Sequence, residues 1–139
     1  MIRAVLDTNV LVAALLARDG APAAIVRALH DGRFDFVACP ALLDELARVP
    51  ARPRIACRVE PGTAAAYVDW LRRICVLFPD PERVAHVSPD PDDDYLIALA
   101  EAAAAHVLVS GDHHLIDLAG ALVRVLPPAA FLEVVQKLP

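Results

Sequence analysis

Carboxylates occur at four points in this sequence where they could do chemistry. Asp7 ends an apolar run that begins at Ile2. Asp112 follows the run His106–Val109 through Ser110 and Gly111. Asp90, Asp92, Asp93 and Asp94 lie within five residues. Glu45 sits in Leu42-Leu43-Asp44-Glu45-Leu46-Ala47, with apolar neighbours on both sides. Acids that converge repel one another unless cations are present. A carboxylate buried without a partner is costly. A cluster of hard oxygen donors favours magnesium or manganese, and such an ion makes bound water acidic enough to attack a phosphodiester.

The elements that would hold these acids can be read from periodicity and punctuation. Ile2–Leu6 reads as a buried strand, and Val10–Ala17 as a helix capped by Asn9 or Thr8. Ala21–His30 is a second helix, ended by Asp31-Gly32. Phe34–Ala38 is a second strand. Pro40 opens a helix to about Val49, and Pro50 stops it. Ala51–Glu60 reads as an irregular loop or short helix, Thr63–Cys75 as a helix, and Val76–Phe78 as a strand or loop. Pro79-Asp80-Pro81 is a turn and Val84–Val87 a short strand. Ser88–Pro91 is a loop before the helix Asp92–Ala105. His106–Val109 is a strand, His113–Leu118 a short helix, Leu122–Val125 a last strand and Pro128–Val135 a last helix. Alternating strands and helices predict a three-layer α/β/α fold with a mainly parallel sheet. In such sheets ligands bind beyond the carboxyl ends of the strands. Asp7 and Asp112 should stand there, on rigid structure and accessible to solvent.

The chain as a whole agrees. Its 139 residues suit a single domain, and 58% hydrophobic content, mostly Ala, Val and Leu, excludes a disordered protein. No apolar run approaches the roughly 20 residues of a membrane span. Val10–Ala17 is no signal-peptide core, since Asp7 and Asn9 adjoin it and no cleavage site follows. The expectation is a cytoplasmic protein without a membrane partner. Cys39, Cys57 and Cys75 are widely spaced, form no C-x-x-C pair, and read as reduced, mostly buried thiols. The net charge of −5 argues at first against a nucleic-acid partner. Distribution matters more than the sum: cations would offset the aspartates locally, and Arg48, Arg52, Arg54 and Arg58 lie within eleven residues free of acids.

Taken in order, these segments resemble the motifs of PIN domains. Val5-Leu6-Asp7-Thr8-Asn9-Val10-Leu11-Val12 is similar to the first, and Pro40-x4-Glu45-Leu46-x2-Val49 to the second. Asp90-Pro91-Asp92-Asp93-Asp94-x2-Ile97-Ala98-Leu99-Ala100 is similar to the third, and Val107-Leu108-Val109-Ser110-Gly111-Asp112-x2-Leu115 to the fourth, with Ser110 where threonine is usual. The resemblance spans residues 2 to about 118. It implies a nuclease in which Asp7, Glu45, Asp93 and Asp112 hold one or two Mg²⁺ or Mn²⁺ ions, with Asp94 the alternative to Asp93. Asp93 is preferred because it places Ala100 seven residues on, as in the family pattern. Thr8, Asn9 and Ser110 would support the site, and Arg48, Arg52, Arg54 and Arg58 would contact RNA, although arginines so placed are more often a solvated face. Small bacterial members are commonly toxins of VapC type, dimeric and silenced by an antitoxin. That implies an endoribonuclease with an RNA substrate, a cognate antitoxin and a homodimeric state.

Blander roles compete at each position. Asp7 and Asp112 could be caps, Glu45 a solvated helix face, and Asp90 and Asp92 turn and capping residues. His113 and His114, adjacent on a helix, point apart and read as surface. Tyr67 and Trp70, three apart, read as core or dimer packing. Among rival enzymes, a haloacid-dehalogenase-like phosphatase needs a second Asp at position 9, which is Asn9, and a suitable Lys, whereas the only lysine is Lys137. There is no G-x-G-x-x-G and no P-loop. The non-enzymatic alternative is a catalytically silent PIN-like module that binds RNA or protein; intact acids in all four motifs argue against it.

Overall fold

The computed structural model describes residues 1–81, 91–112, 115 and 123–139, with backbone alone for 91–94. Five strands form one sheet: β1 (Arg3–Leu6), β2 (Asp35–Ala38), β3 (Val76–Leu77), β4 (Val107–Val109) and β5 (Val125–Leu126). Their order is β3-β2-β1-β4-β5 and every pairing is parallel. Sequence periodicity suggested a mainly parallel sheet; the described one is wholly so. Ala4, Val5 and Leu6 of β1 and Val107, Leu108 and Val109 of β4 are all buried. That is why these strands read as unbroken apolar runs, since strands covered on both faces have no polar side to alternate with.

Seven α-helices are described: α1 (Thr8–Leu16), α2 (Ala21–His30), α3 (Pro40–Arg48), α4 (Pro53–Ala56), α5 (Pro61–Ile74), α6 (Pro91–Ala102) and α7 (Pro128–Gln136). Right-handed crossovers put the helices linking β1, β2 and β3 on one face and the return to β4 on the other. Accordingly α1 packs on α2 and α3, α3 on α5, and α6 separately on β1 and β4. The chain starts at the centre, builds outward to β3, then crosses back to the other side of β1. The direction of winding therefore reverses between β1 and β4.

Several boundaries differ from the sequence reading for local reasons. Helix α1 begins two residues early because Asp7, not Thr8 or Asn9, is its cap: its Oδ1 accepts from the Asn9 backbone N–H at 3.2 Å. Helix α3 stops at Arg48, and Pro50 lies inside a 3₁₀ turn, Val49–Ala51. Helix α5 starts earlier, at Pro61, and α6 ends earlier, at Ala102. Of the expected strand Leu122–Val125, only Val125 is in β5, which runs on to Leu126. The expected elements Val84–Val87, Ser88–Asp90 and His113–Leu118 lie outside the described residues, apart from Leu115, which is helical and buried. Only one thiol meets the expectation of burial: Cys39 is buried, Cys75 half-buried and Cys57 exposed. Tyr67 and Trp70 stack at 6.3 Å, and the Tyr67 hydroxyl donates to the Leu11 carbonyl at 2.8 Å, so this pair fastens α5 to α1.

Two devices, one long-range and one local, fix the helices that carry acids. The Asp80 carboxylate accepts from the Ala41 backbone N–H at 2.8 Å and so caps α3 from a distant turn. An acid at that end also complements the helix dipole. At its far end, α6 closes with paired bonds, Ala105 N–H to Ala100 O at 2.8 Å and Ala104 N–H to Glu101 O at 3.1 Å. The same closure ends α2, where Gly32 occupies the left-handed position at φ 73°. In α6 that position is Ala104, at φ 49°. A Cβ in this region costs about 1–2 kcal/mol, and glycine usually fills it. Replacing Ala104, which is exposed, by Gly removes that strain but frees the unfolded chain by about 0.4–1 kcal/mol. We therefore expect Ala104→Gly to stabilise the protein by about 0.5–1 kcal/mol, read as a higher urea midpoint at unchanged slope. A lower midpoint would contradict the strain assigned here.

Candidate metal centre

The site grows from the reversal between β1 and β4, where a crevice opens beyond the strand ends. Leu6 pairs with Val109. The next residue on each strand is therefore Asp7 beside Ser110, and the Asp7 backbone N–H donates to the Val109 carbonyl at 2.9 Å. The Ser110 hydroxyl donates to Asp7 Oδ2 at 2.8 Å and accepts from the Asp112 backbone N–H at 3.0 Å. One serine thus fixes the Asp7 carboxylate and the turn that presents Asp112.

Asp7 was expected to be accessible to solvent, and here the structure corrects the sequence reading: it is only 5% exposed. The reason lies in its position as cap, which turns the carboxylate back over α1 and against Ser110. Burial raises its pKa above the usual carboxylate range. The hydrogen bonds from Ser110 and from the Asn9 backbone oppose that rise, while the negative charges of Glu45 and Asp112 add to it. Asp7, Glu45 and Asp112, from three elements and more than 100 residues of chain, are therefore electrostatic neighbours. Among the described residues no three acids form a complete ion cage. The side chains of Asp92, Asp93 and Asp94 lie outside the described atoms, as do Asp90, His113 and His114. The backbone puts all three aspartates in the first turn of α6, the helix that packs on β1 and β4.

Glu45 projects from α3 between buried Leu42 and Leu46 and is half-buried. Its Oε2 accepts a 2.6 Å hydrogen bond from the Tyr95 hydroxyl. Burial, and then the Glu45 carboxylate, push the Tyr95 pKa well up, so the phenol stays protonated and donates. Sequence reading missed Tyr95; the only signal was its place directly after the three aspartates. Thr8 is buried, and its Oγ1 has no well-formed hydrogen bond among the described residues. It still lies near enough to the Tyr95 hydroxyl to favour that group's ionised form slightly. Asn9 contributes its backbone N–H, while its side chain is on the exposed surface.

The donor set fits a hard divalent cation. It consists of carboxylate oxygens and hydroxyls, holds like charges together, buries one acid at an energetic cost, and leaves the buried Thr8 hydroxyl without a well-formed hydrogen bond among the described residues. A bound cation would relieve each of these.

A PIN-domain family model matches residues 3–114. The chain belongs to the PIN-domain family. Solved structures agree at the level of fold. PAE2754 from Pyrobaculum aerophilum superposes with a TM-score of 0.68 at 16% identity, over 99% of this chain and 91% of that one. VapBC2 from Rickettsia felis, bound to a DNA fragment from its promoter, superposes with a TM-score of 0.63 at 11% identity, over 91% of this chain and 98% of that one. No curated protein matches the chain.

In this PIN domain the run of arginines begins at Arg48, one turn beyond Glu45 on α3. Arg48, Arg52, Arg54 and Arg58 are all exposed, on the end of α3 and the segment that follows. An apolar groove of about 510 Å³ opens between α3, α4 and α5, lined by Ala47, Pro50, Ala56, Ala64 and Val68, with Asp69 and Arg72 among its polar lining. None of the candidate acids lines it, so the groove offers apolar contact rather than hydrolysis.

The pH dependence follows from Asp7. A folded-state pKa raised above the unfolded value means the native state holds the proton more tightly. Asp7 then costs nothing at pH below its unfolded pKa and costs progressively more stability as pH rises through its folded pKa. Asn caps a helix about as well as Asp and carries no charge. In EDTA, Asp7→Asn should therefore melt higher than the native protein at pH 8, and that advantage should shrink as the pH is lowered to 4. An advantage that stays the same at both pH values would show that burial of the charge is not what Asp7 costs the fold.

Proposed function

We propose that this PIN domain is a Mg²⁺- or Mn²⁺-dependent endoribonuclease and the toxin of a toxin–antitoxin pair. The observation that carries the reading is the Asp7 carboxylate, buried at the β1–β4 reversal against its own electrostatic interest, with Glu45 and Asp112 near enough to raise its pKa further. A fold keeps such a group only where something compensates it. Asp7, Glu45, Asp112 and one of Asp93 and Asp94 would hold the ion. When bound, the ion supplies the acidification of a water and the positive charge that a phosphodiester in reaction requires.

The chain's own residues do the rest. Ser110 keeps the Asp7 carboxylate in one orientation. The Asn9 N–H holds its other oxygen. Arg48, Arg52, Arg54 and Arg58 would bind phosphates flanking the cut, a contact that is sequence-independent and weakens with salt. The proposal of an antitoxin rests on family membership and on the likeness to the VapC-containing complex from Rickettsia felis. A homodimer and a cytoplasmic site of action belong to the same proposal.

Cleavage of a mixed RNA pool tests it. The native protein should cut in Mg²⁺ or Mn²⁺ and stop in EDTA, and Asp7→Asn should lose at least about 100-fold in rate, roughly 2.7 kcal/mol of transition-state stabilisation. Metal binding without cleavage of any RNA would point to a more selective target. Neither binding nor cleavage would favour the silent module.

A further inference from the structure

Tyr95 has no part in the motifs, yet it joins two of them. Its ring belongs to α6, directly after the aspartates, and its hydroxyl reaches Glu45 on α3, fifty residues earlier in the chain. At 2.6 Å the contact is in the range of a charge-assisted O–H···O⁻ bond, roughly twice as strong as a neutral one. Thr8, next to Asp7, is buried beside the same hydroxyl. A phenol that touches the second motif, is anchored in the third and lies beside the first fixes the spacing of all three.

The effect on Glu45 is specific. A glutamate has three side-chain torsions and loses rotamer freedom when it is fixed. Here the hydroxyl fixes it in advance and takes one of the two lone pairs of Oε2, leaving that oxygen the poorer donor to a cation, whereas Oε1 takes no hydrogen bond among the described residues. We propose that Tyr95 is a positioning residue that holds Glu45 so that a single carboxylate oxygen, Oε1, is offered to the cation. This rests on the metal-site reading above. It has a consequence that reading lacks. One-oxygen carboxylate ligands suit small ions that demand regular six-fold coordination, while Ca²⁺ accepts carboxylates through both oxygens and takes six to eight ligands. Tyr95 would then bias the site towards Mg²⁺ and Mn²⁺ and against Ca²⁺.

The test is calorimetric titration of MnCl₂ and of CaCl₂ into the native protein and Tyr95→Phe, which keeps the ring and removes only the hydroxyl. Far-UV circular dichroism and the melting temperature in EDTA check that the variant is folded. Loss of an outer partner of a ligand typically costs about 10–100-fold in metal affinity. We expect Mn²⁺ binding to weaken by about 10-fold, and Ca²⁺ binding by less than about 2-fold or to tighten, so that the preference for Mn²⁺ falls. Equal weakening for both ions, or no change for either, would overturn the positioning role and leave the metal site standing. A native protein that binds neither ion would overturn the metal site and this inference with it.

Discussion

Asp7 is almost sealed from water at the point where the chain reverses its direction of winding through the parallel sheet, and it keeps company with two other acids. That is an unfavourable place for a charge, and much of the molecule is arranged to hold it there. The parallel register of β1 and β4 brings Asp7 and Ser110 side by side. The cap on α1 fixes one carboxylate oxygen and the serine fixes the other. Movement of either strand by one residue would turn Asp7 away from Ser110 and break the serine contact, because side chains on a strand alternate between faces.

The other acids are held from farther off. Glu45 depends on α3, whose first turn is capped by Asp80 from beyond β3, and on Tyr95 from α6. The placement of α6 depends in turn on its packing on β1 and β4 and on the closure at Ala104, whose carbonyl also accepts from the Arg3 guanidinium at 3.1 Å. Each acid thus rides on an element pinned at a point remote from the acid itself. This is the arrangement a hydrolytic site needs, because ligand positions must hold within a fraction of an ångström. The apolar groove between α3, α4 and α5 is lined by none of the candidate acids.

What was legible in the sequence was local. Apolar runs bounded by Pro, Gly and Asp gave the alternation of strands and helices, and the order of acids gave the family. The cap of α1, read as Asn9 or Thr8, was misplaced by one or two residues, because Asp7, Thr8 and Asn9 are all good caps and only the end of β1 decides among them. Burial of Asp7 was not legible, since an aspartate at a strand end looks the same whether it faces water or a neighbouring serine. Tyr95 and Asp80 act through partners 50 and 39 residues away, and no periodicity encodes such a pairing. The short edge strand β3 was ambiguous because Val76 and Leu77 are exposed, so they lack the buried pattern that marks the inner strands.

Asp7 is a buried carboxylate whose cost a bound cation would relieve. The most direct measurement is a carbon-13 NMR titration of the Asp7 side-chain carboxyl, first in EDTA and then with Mg²⁺. The account predicts that Asp7 titrates above the usual carboxylate range without the ion, and that saturating Mg²⁺ brings the titration down to or below that range. An Asp7 that titrates like an ordinary exposed aspartate, unmoved by Mg²⁺, would contradict it.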